Sequence, residues 1–349
     1  MSGKRPSFAS IGRLEGLPIA AVLAILYFVF ILTAPSVFTG HLIYMSFLQT
    51  VPPMLVLGIG LTFIITAGEI DLSFPAVVAL SGFVFTWWFK NFHTPWIGFL
   101  LALISGGVVG YLNGLLVARL RVPSIMATLA AQFFWYGVTV LIAGGLQIDI
   151  ASVTTEVIHT IFVGRLFGIV PIQAFWSLGL VVFFWFMLNR HKFGEAIMFI
   201  GDNAEVARVM GINVETTRVR LFTMNGVIAA FAGLLLTLEI NVFFPTQGQG
   251  MLLPVMAAVF IGGTSIAGGQ GVLFGTFFGS YIIGSLEAGV VATGIGGYWV
   301  QLVEGLVMAA VVVLNVLIGD EGVAFLTKTA RKWAVPSSAP ADRRGDGKV

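Results

Sequence analysis

Residues 190–220 read RHKFGEAIMFIGDNAEVARVMGINVETTRVR, and they form the only long polar segment between two hydrophobic ones. Five of the 18 Lys and Arg residues of the chain lie within it. Asp202 or Asn203 can cap a short helix here, and Gly211 can end that helix in a left-handed turn. Because a helix of about two turns, residues 204–210, is not stable alone in water, we expect it to pack against its own membrane domain or against a partner.

This short helix is predicted to have two different sides. Val206, Val209 and Met210 would lie together on one side, whereas Glu205 and Arg208 are polar. The pattern is that of a helix that packs through one side and leaves its charged residues at a surface.

Composition identifies the class of protein. Of the 349 residues, 58% are hydrophobic and only 10% are charged, whereas soluble domains carry roughly 25% charged residues. The chain is therefore predicted to be an all-α, polytopic membrane protein. The absence of cysteine excludes disulfides, iron–sulfur clusters and thiol catalysis. The basic residues lie in loops, so we expect no nucleic-acid partner.

A helix crosses the bilayer core with about 20 apolar residues, and the sequence predicts about ten such spans. They are residues 17–35, 51–68, 72–89, 96–118, 123–143, 170–188, 219–240, 252–264, 271–292 and 298–318. The eighth is the shortest, and without it the count is nine. The predicted layout is a cytoplasmic N-terminus (1–16), a transmembrane domain (17–318) and a cytoplasmic tail (319–349) whose end is too polar to bury a core.

The positions of the basic residues predict the orientation of the chain. With the N-terminus inside, only Lys90 and Arg165 of the 18 basic residues fall outside the cytoplasmic segments. This bias follows the positive-inside rule and predicts that both termini are cytoplasmic. It also makes residues 189–218 the largest cytoplasmic loop.

The two halves of the chain resemble each other. Residues 69–75 read EIDLSFP and residues 239–245 read EINVFFP; these are the first and second copies of a repeated motif. Equivalent residues follow in the same order, namely Gly106, Gly110, Gly114 and Gln132 after the first copy, and Gly271, Gly275, Gly279 and Gln301 after the second. In the predicted topology spans 2–5 and 7–10 form an inverted-topology repeat. We expect the glycines to pack helices closely rather than to contact a substrate.

Motifs of enzyme chemistry are missing from the sequence. It contains no GxxxxGK[ST] phosphate loop, no HExxH, no paired Asp/His metal constellation and no Gly-x-Ser-x-Gly elbow. Each of these motifs positions the groups that its chemistry needs. We therefore expect no catalytic residue, no metal site and no cofactor in this chain, and an energy source outside it.

Polar residues inside predicted spans are costly and therefore indicate function. The candidates for a substrate pathway are Asp71, Gln132, Asn225, Gln301 and Glu304. For Asp71, as for Glu69 and Glu239, the alternative is a carboxylate at a helix start near the membrane surface. For Gln301 and Glu304 the alternatives are a subunit interface and a hydrogen bond between helices.

Four segments carry a resemblance to a known family. They are GEIDLSFPAVVALSG (68–82), PSIMATLA (123–130), Gly-x-Asn-x-x-x-Ala-x-x-x-Gly-Ile (201–212) and VFIGGTSIAGGQGVLFGTFFGSYIIGSLEAGV (259–290). They resemble the permease subunits of bacterial sugar ABC importers, the ribose, xylose, arabinose and galactose group. Glu69, Tyr136 and Glu304 depart from the pattern of that group, so the particular sugar stays open.

The resemblance implies a multi-pass permease of the bacterial inner membrane that imports a monosaccharide (a pentose or hexose) or a related polyol. It also implies four partners: a cytoplasmic subunit that binds ATP and Mg, a periplasmic sugar-binding protein, a second permease copy in a homodimer, and membrane lipid. The residues that it assigns to coupling with the ATPase are Gly201, Asp202, Asn203, Glu205, Ala207, Arg208, Gly211 and Ile212. A secondary, ion-coupled sugar transporter is the alternative, because such transporters also use inverted repeats.

Overall fold

The computed structural model describes residues 16–294, 296–300, 302–303, 305–307 and 309–310. The chain divides into two compact units, residues 1–305 and 306–349, and the helices and sites below belong to the first. The predicted N-terminal segment up to residue 15, the cytoplasmic tail, Gln301 and Glu304 lie outside the described residues.

The described part of the chain is mostly α-helical. Its helices are α1 (Leu17–Thr33), α2 (Pro35–Phe38), α3 (His41–Thr66), α4 (Phe74–Phe92), α5 (Pro95–Ala118), α6 (Ser124–Ile142), α7 (Val157–Val163), α8 (Ile172–Arg190), α9 (Lys192–Val209), α10 (Val214–Ile240), α11 (Leu252–Ile261) and α12 (Leu273–Ala292). Single 3₁₀ turns lie at Ala151–Thr155 and Gly297–Trp299.

Two short strand pairs are the departure from the all-α prediction. The strand β1 (Ile148–Asp149) pairs antiparallel with β4 (Val242–Phe243), and β2 (Arg165–Leu166) pairs antiparallel with β3 (Val170–Pro171). Each strand has two residues, so the pairs connect neighbouring loops and do not form a separate layer of the fold. The first pair joins the long segment after α6 to the second copy of the repeated motif.

Six helices, α3, α5, α6, α8, α10 and α12, are long and apolar enough to cross a membrane. The apolar helices α1 and α11 are shorter, with 17 and 10 residues. Together with α4 these helices lie at the positions of the first nine predicted spans. Six spans are thus supported by length and composition, and the count of ten and the location of the termini stay predictions.

The helix α3 is longer than the sequence predicted. We expected a span over residues 51–68, but α3 begins ten residues earlier and keeps Pro52 and Pro53 inside it. A proline in a helix removes a main-chain hydrogen bond and bends the axis. Both prolines are buried, and neighbouring helices support such bends in membrane proteins.

The central helix of the unit is α10, which packs against α3, α4 and α5. The glycine ridge of α5 makes one of these contacts very close. A Cβ atom on Gly106 would collide with the main-chain oxygen of Gly226, and one on Gly110 would collide with that of Phe222. The missing side chains let the two backbones approach, as is typical of helix pairs in membranes.

The helix α12 packs against α11 and α3. A Cβ atom on Gly275 would collide with the main-chain oxygen of Gly262, and one on Gly279 with that of Ala258. The remaining glycine of the predicted ridge, Gly271, precedes the other two in the chain and lies in the loop before the helix. The helix therefore starts two residues later than predicted, but Gly271 still packs closely against α3, because a Cβ on it would collide with the hydroxyl of Thr66.

Candidate functional site

The polar segment after α8 contains two helices rather than one. The backbone of Asn203 is extended (φ −159°, ψ 106°) and breaks α9. Its side-chain Oδ1 accepts hydrogen bonds from the N–H groups of Glu205 and Val206, at 3.0 and 3.1 Å. Residues 204–209 are therefore a separate short helix, and of the two predicted caps it is Asn203, not Asp202, that holds its start.

The far end of the short helix is closed by a glycine turn. Gly211 has a left-handed backbone (φ 86°). Its N–H donates to the carbonyl of Arg208 at 2.9 Å, and the N–H of Ile212 donates to the carbonyl of Ala207 at 3.0 Å. This pair of bonds satisfies carbonyls that would otherwise be unpaired at a helix end, so the turn at Gly211 is present as the sequence predicted.

Ala207 anchors the short helix to the rest of the protein. It is fully buried against Ile200 and Val214, and Ala204 and Ile212 pack around the same cluster. Ile200 belongs to the long part of α9, whereas Val214 is the first residue of α10. Among the residues assigned to coupling, Ala207 therefore acts through packing and presents no surface to a partner.

The opposite side of the short helix faces outward. Val206, Val209 and Met210 expose 52%, 89% and 58% of their surface. Burial of such apolar surface is favourable by about 25 cal/mol per Å², which makes this side suited to a partner. The polar coupling residues Asp202, Asn203, Glu205 and Arg208 are also exposed. Sequence reasoning assigned the partner contact to Asp202, Glu205 and Arg208, and it did not include the three apolar residues, although it had placed them on one side.

Arg208 forms the exposed ion pairs of this segment. It contacts Glu205 one turn earlier, and its Nη2 lies 3.7 Å from Oε1 of Glu215. Such surface pairs contribute about 0–1 kcal/mol. The shape of the short helix therefore depends on its caps and on Ala207 rather than on these charges.

A close backbone junction joins this segment to two distant loops. A Cβ atom on Gly201 would overlap the carbonyl oxygen of Thr66 and the nitrogen of Gly269. A Cβ on Gly268 would lie 2.8 Å from the Gly201 oxygen and 3.1 Å from the Cα of Gly68. Thr66 ends α3 just before the first copy of the repeated motif, whereas the two later glycines belong to the loop between α11 and α12. One residue of the polar segment thus touches both halves of the chain.

The first copy of the repeated motif contains a buried carboxylate. Oδ1 of Asp71 accepts hydrogen bonds from the N–H and the hydroxyl of Ser73, at 2.8 and 2.6 Å. Its Oδ2 accepts from Nδ2 of Asn225 on α10, at 2.8 Å, and Nδ2 of Asn113 on α5 donates to the Ser73 hydroxyl at 2.8 Å. All four residues are buried, so this network fixes the nonhelical stretch between α3 and α4.

One face of α6 supports the same stretch. Ser124, Thr128 and Gln132 follow one another at intervals of four residues and so share a helix face. Their side-chain oxygens accept hydrogen bonds from the main-chain N–H groups of Ile70 (3.2 Å), Leu72 (3.0 Å) and Ala76 (2.9 Å) respectively. The N–H groups of Ile70 and Leu72 obtain their partners from α6, whereas that of Ala76 also donates to the carbonyl of Ser73 at 3.0 Å.

The structure therefore brings three of the five pathway candidates together. Asp71 and Asn225 are hydrogen-bonded to each other, and Gln132 supports the same segment. Sequence reasoning did not select Ser124 and Thr128 for this site, although their spacing from Gln132 was a readable signal. All these polar groups form hydrogen bonds with protein atoms, so the role that the structure shows for them is to hold residues 69–76 in place.

Two carboxylates that sequence reasoning treated as helix starts have other partners. Oε1 of Glu69 lies 2.7 Å from Nε of Arg218, close enough for an ion pair although the N–H direction does not meet hydrogen-bond geometry. Glu239 accepts hydrogen bonds from the side-chain amides of Gln49 and Gln173. Neither caps a helix: the N-cap positions of α4 and α11 are occupied by other residues. Among the described residues no group of His, Asp or Glu is arranged to hold a metal ion.

The long apolar helices around an interrupted, hydrogen-bonded segment are those of a polytopic membrane protein. The sequence matches the family described as branched-chain amino acid transport system / permease component over residues 43–312. The chain belongs to this family of permeases.

Two relatives show the similarity in detail. The chain is 30% identical to the ribose import permease protein RbsC of Escherichia coli K12 over 317 residues, which cover 90% of this chain and 97% of that protein. It is 31% identical to the autoinducer 2 import system permease protein LsrC of Yersinia pestis (strain Pestoides F) over 268 residues, or 75% of this chain and 74% of that protein. No solved structure matches. The resemblance drawn from the four sequence segments is confirmed.

Proposed function

We propose that this chain is the permease subunit of an ABC importer in the bacterial inner membrane, and that it forms the translocation pathway for a monosaccharide or a related polyol. The energy comes from a separate subunit that binds ATP and Mg. A periplasmic binding protein delivers the sugar, and a second copy of the permease completes the pathway. The relatives include a ribose permease and an autoinducer 2 permease by name, which supports a small polyhydroxylated substrate.

The observation that carries this proposal is the construction of the short helix. It is closed at both ends, anchored inside by Ala207 and exposed on an apolar side. A helix of six residues has no stability of its own, so the surrounding structure holds it in place. A helix that is held by its neighbours and exposed on an apolar side is suited to receive force from a partner.

The proposed mechanism follows from what the polar segment touches. Closure of the ATPase subunits on ATP would push the short helix. Because Gly201 contacts both the end of α3 and the loop before α12, the movement would reach both repeated halves at once. The halves would then alternate between inward- and outward-facing states around a pathway near the bilayer midplane. No covalent chemistry takes place in this chain.

Transport in reconstituted vesicles tests the proposal. The chain is placed in liposomes with its ATP-binding subunit and its sugar-binding protein, and uptake of labelled ribose, xylose, arabinose and galactose is followed with and without ATP. We expect uptake of one of these sugars that requires ATP and both partners. Uptake driven by an ion gradient, with neither partner present, would identify a secondary transporter and contradict the proposal.

A further inference from the structure

The ion pair between Glu69 and Arg218 differs from the other ion pairs of the described residues. The side chains of Glu69 and Arg218 are only 9% and 23% exposed, whereas those of Arg208 and Glu205 are 39% and 81% exposed. Charges that are removed from water attract each other strongly and are costly to separate. This pair therefore holds its two elements at a fixed distance, which the exposed pairs do not.

The two elements that it connects are the start of α10 and the interrupted segment. Arg218 lies one turn after Val214, the residue that packs on Ala207 of the short helix. Glu69 begins the first copy of the repeated motif, two residues before the buried carboxylate of Asp71. The pair thus lies between the short helix and the interrupted segment.

A second contact reinforces the first. Asn225, which donates to Asp71, follows Arg218 by seven residues, or about two helical turns, and so lies on the same face of α10. Glu69 and Asp71 are likewise on one stretch of chain. The helix α10 therefore grips the interrupted segment at two points, one ionic and one through a charge-assisted hydrogen bond.

The short helix does not pack directly on the side chain of Glu69. A cavity of about 660 Å³ opens between them, with Ala204, Glu205 and Arg208 of the short helix on one wall and Glu69 and Ser124 on another. The contact of Gly201 with Thr66 and Gly68 gives the polar segment a direct route to this stretch, and α10 gives it a second route that reaches the Glu69 side chain.

We propose that Glu69 and Arg218 are a positioning pair, by which displacement of the short helix is passed through α10 to residues 69–73. The inference rests on the proposed function and adds to it the residues that carry the movement to the interrupted segment. Neither residue is assigned a contact with the sugar. When α10 shifts, the segment that holds Asp71 follows, because separation of the two charges would leave the mostly buried carboxylate of Glu69 without its partner.

The test uses the assembled importer in vesicles and measures sugar uptake and ATP hydrolysis in the same sample. The main variant is Glu69→Leu with Arg218→Met, which removes both charges and leaves neither one buried alone. A second variant, Glu69→Arg with Arg218→Glu, restores a pair with the charges exchanged. Arg121→Gln is the matched control, because it removes an exposed arginine that lines the same cavity and is not among the residues assigned to coupling.

We expect the apolar pair to assemble and to hydrolyse ATP, with uptake per ATP lowered about tenfold, a typical coupling effect. The exchanged pair should recover most of this ratio, and the control should keep it. If the apolar pair transports at the wild-type ratio, or loses uptake and hydrolysis in equal proportion, the inference is wrong while the proposed function stands. A wild-type importer without ATP-driven uptake would overturn both.

Discussion

The two copies of the repeated motif are identical at four of seven positions and have very different surroundings. In the first copy, Glu69 and Asp71 are both buried and both held by α10. In the second copy, Glu239 is only half-buried and is held by amides from α3 and α8. Asn241, the counterpart of Asp71, turns the chain through a left-handed backbone (φ 56°) into β4.

The difference shows that the repeat sets where the chain leaves a helix but not what each break does. The carboxylate of the first copy receives three hydrogen bonds in a dry network. In the second copy the carbonyl of Asn241 accepts a hydrogen bond from Ile150, in the segment after β1. The first copy is therefore held by side chains from the first half of α10, whereas the second copy begins at the far end of the same helix and is joined to the segment after α6. We infer that the first copy, which α10 holds near its start, responds to the short helix more directly than the second copy does.

The largest effect is expected when the carboxylate of the first copy is removed. Asp71→Ala leaves the buried donors of Ser73 and Asn225 without an acceptor, at a cost of about 3 kcal/mol in the free energy of unfolding. The thermal unfolding midpoint of the purified protein measures it. The matched change in the second copy is Asn241→Gly, because glycine accepts the left-handed backbone and the Asn241 Oδ1 makes no hydrogen bond among the described residues. If Asp71→Ala and Asn241→Gly lowered the thermal midpoint equally, the proposed difference between the two copies would be contradicted.

A smaller loss is expected at the junction beside the first copy. Gly201→Ala places a Cβ on the carbonyl of Thr66, and such overpacking costs about 2 kcal/mol. Gly137→Ala in α6, where a Cβ meets open space, serves as the control. We expect the first variant to lower the thermal midpoint and the second to leave it unchanged or raise it. A junction that tolerates alanine would mean that the polar segment is not tightly joined to the first copy.

The carboxylate of the second copy should matter less than that of the first. Glu239→Ala removes the acceptor of two glutamine amides, of which Gln173 is buried. We expect a loss of about 1 kcal/mol, because Glu239 is half-buried and water can replace part of the network. The same thermal measurement tests it. A loss as large as that of Asp71→Ala would show that both copies hold essential buried carboxylates.

The smallest effect is expected at the exposed charges of the short helix. Arg208→Gln removes two ion pairs that lie in solvent, so we expect a change below about 0.5 kcal/mol in stability. Thermal midpoints at low and high salt would detect it. If Arg208→Gln lowered stability several times more than this at low salt, and the loss of stability disappeared at high salt, these charges and not Ala207 would hold the helix.

The sequence predicted the helical class, the positions of nine helices and the glycine end of the short helix, because these follow from local patterns. It predicted a repeated motif, since four of the seven residues are identical in the two copies. It did not predict the ion pair of Glu69 or the two glutamines at Glu239, because these partners are far apart in sequence. The start of α3 was also missed: prolines usually end helices, and only the surrounding helices make Pro52 and Pro53 tolerable.

The central claim is that the outward apolar side of the short helix receives the force of the ATPase subunit. Val209 is 89% exposed, and its variants allow the most direct test. The measurements are the binding of the ATP-binding subunit to the permease in nanodiscs and the ATP hydrolysis by that subunit that the permease stimulates. Val209→Asp is predicted to weaken binding about tenfold or more, as for a central interface residue, and to leave the thermal midpoint unchanged, whereas Val209→Ile keeps both. If Val209→Asp binds and stimulates like the wild type, the claim is contradicted.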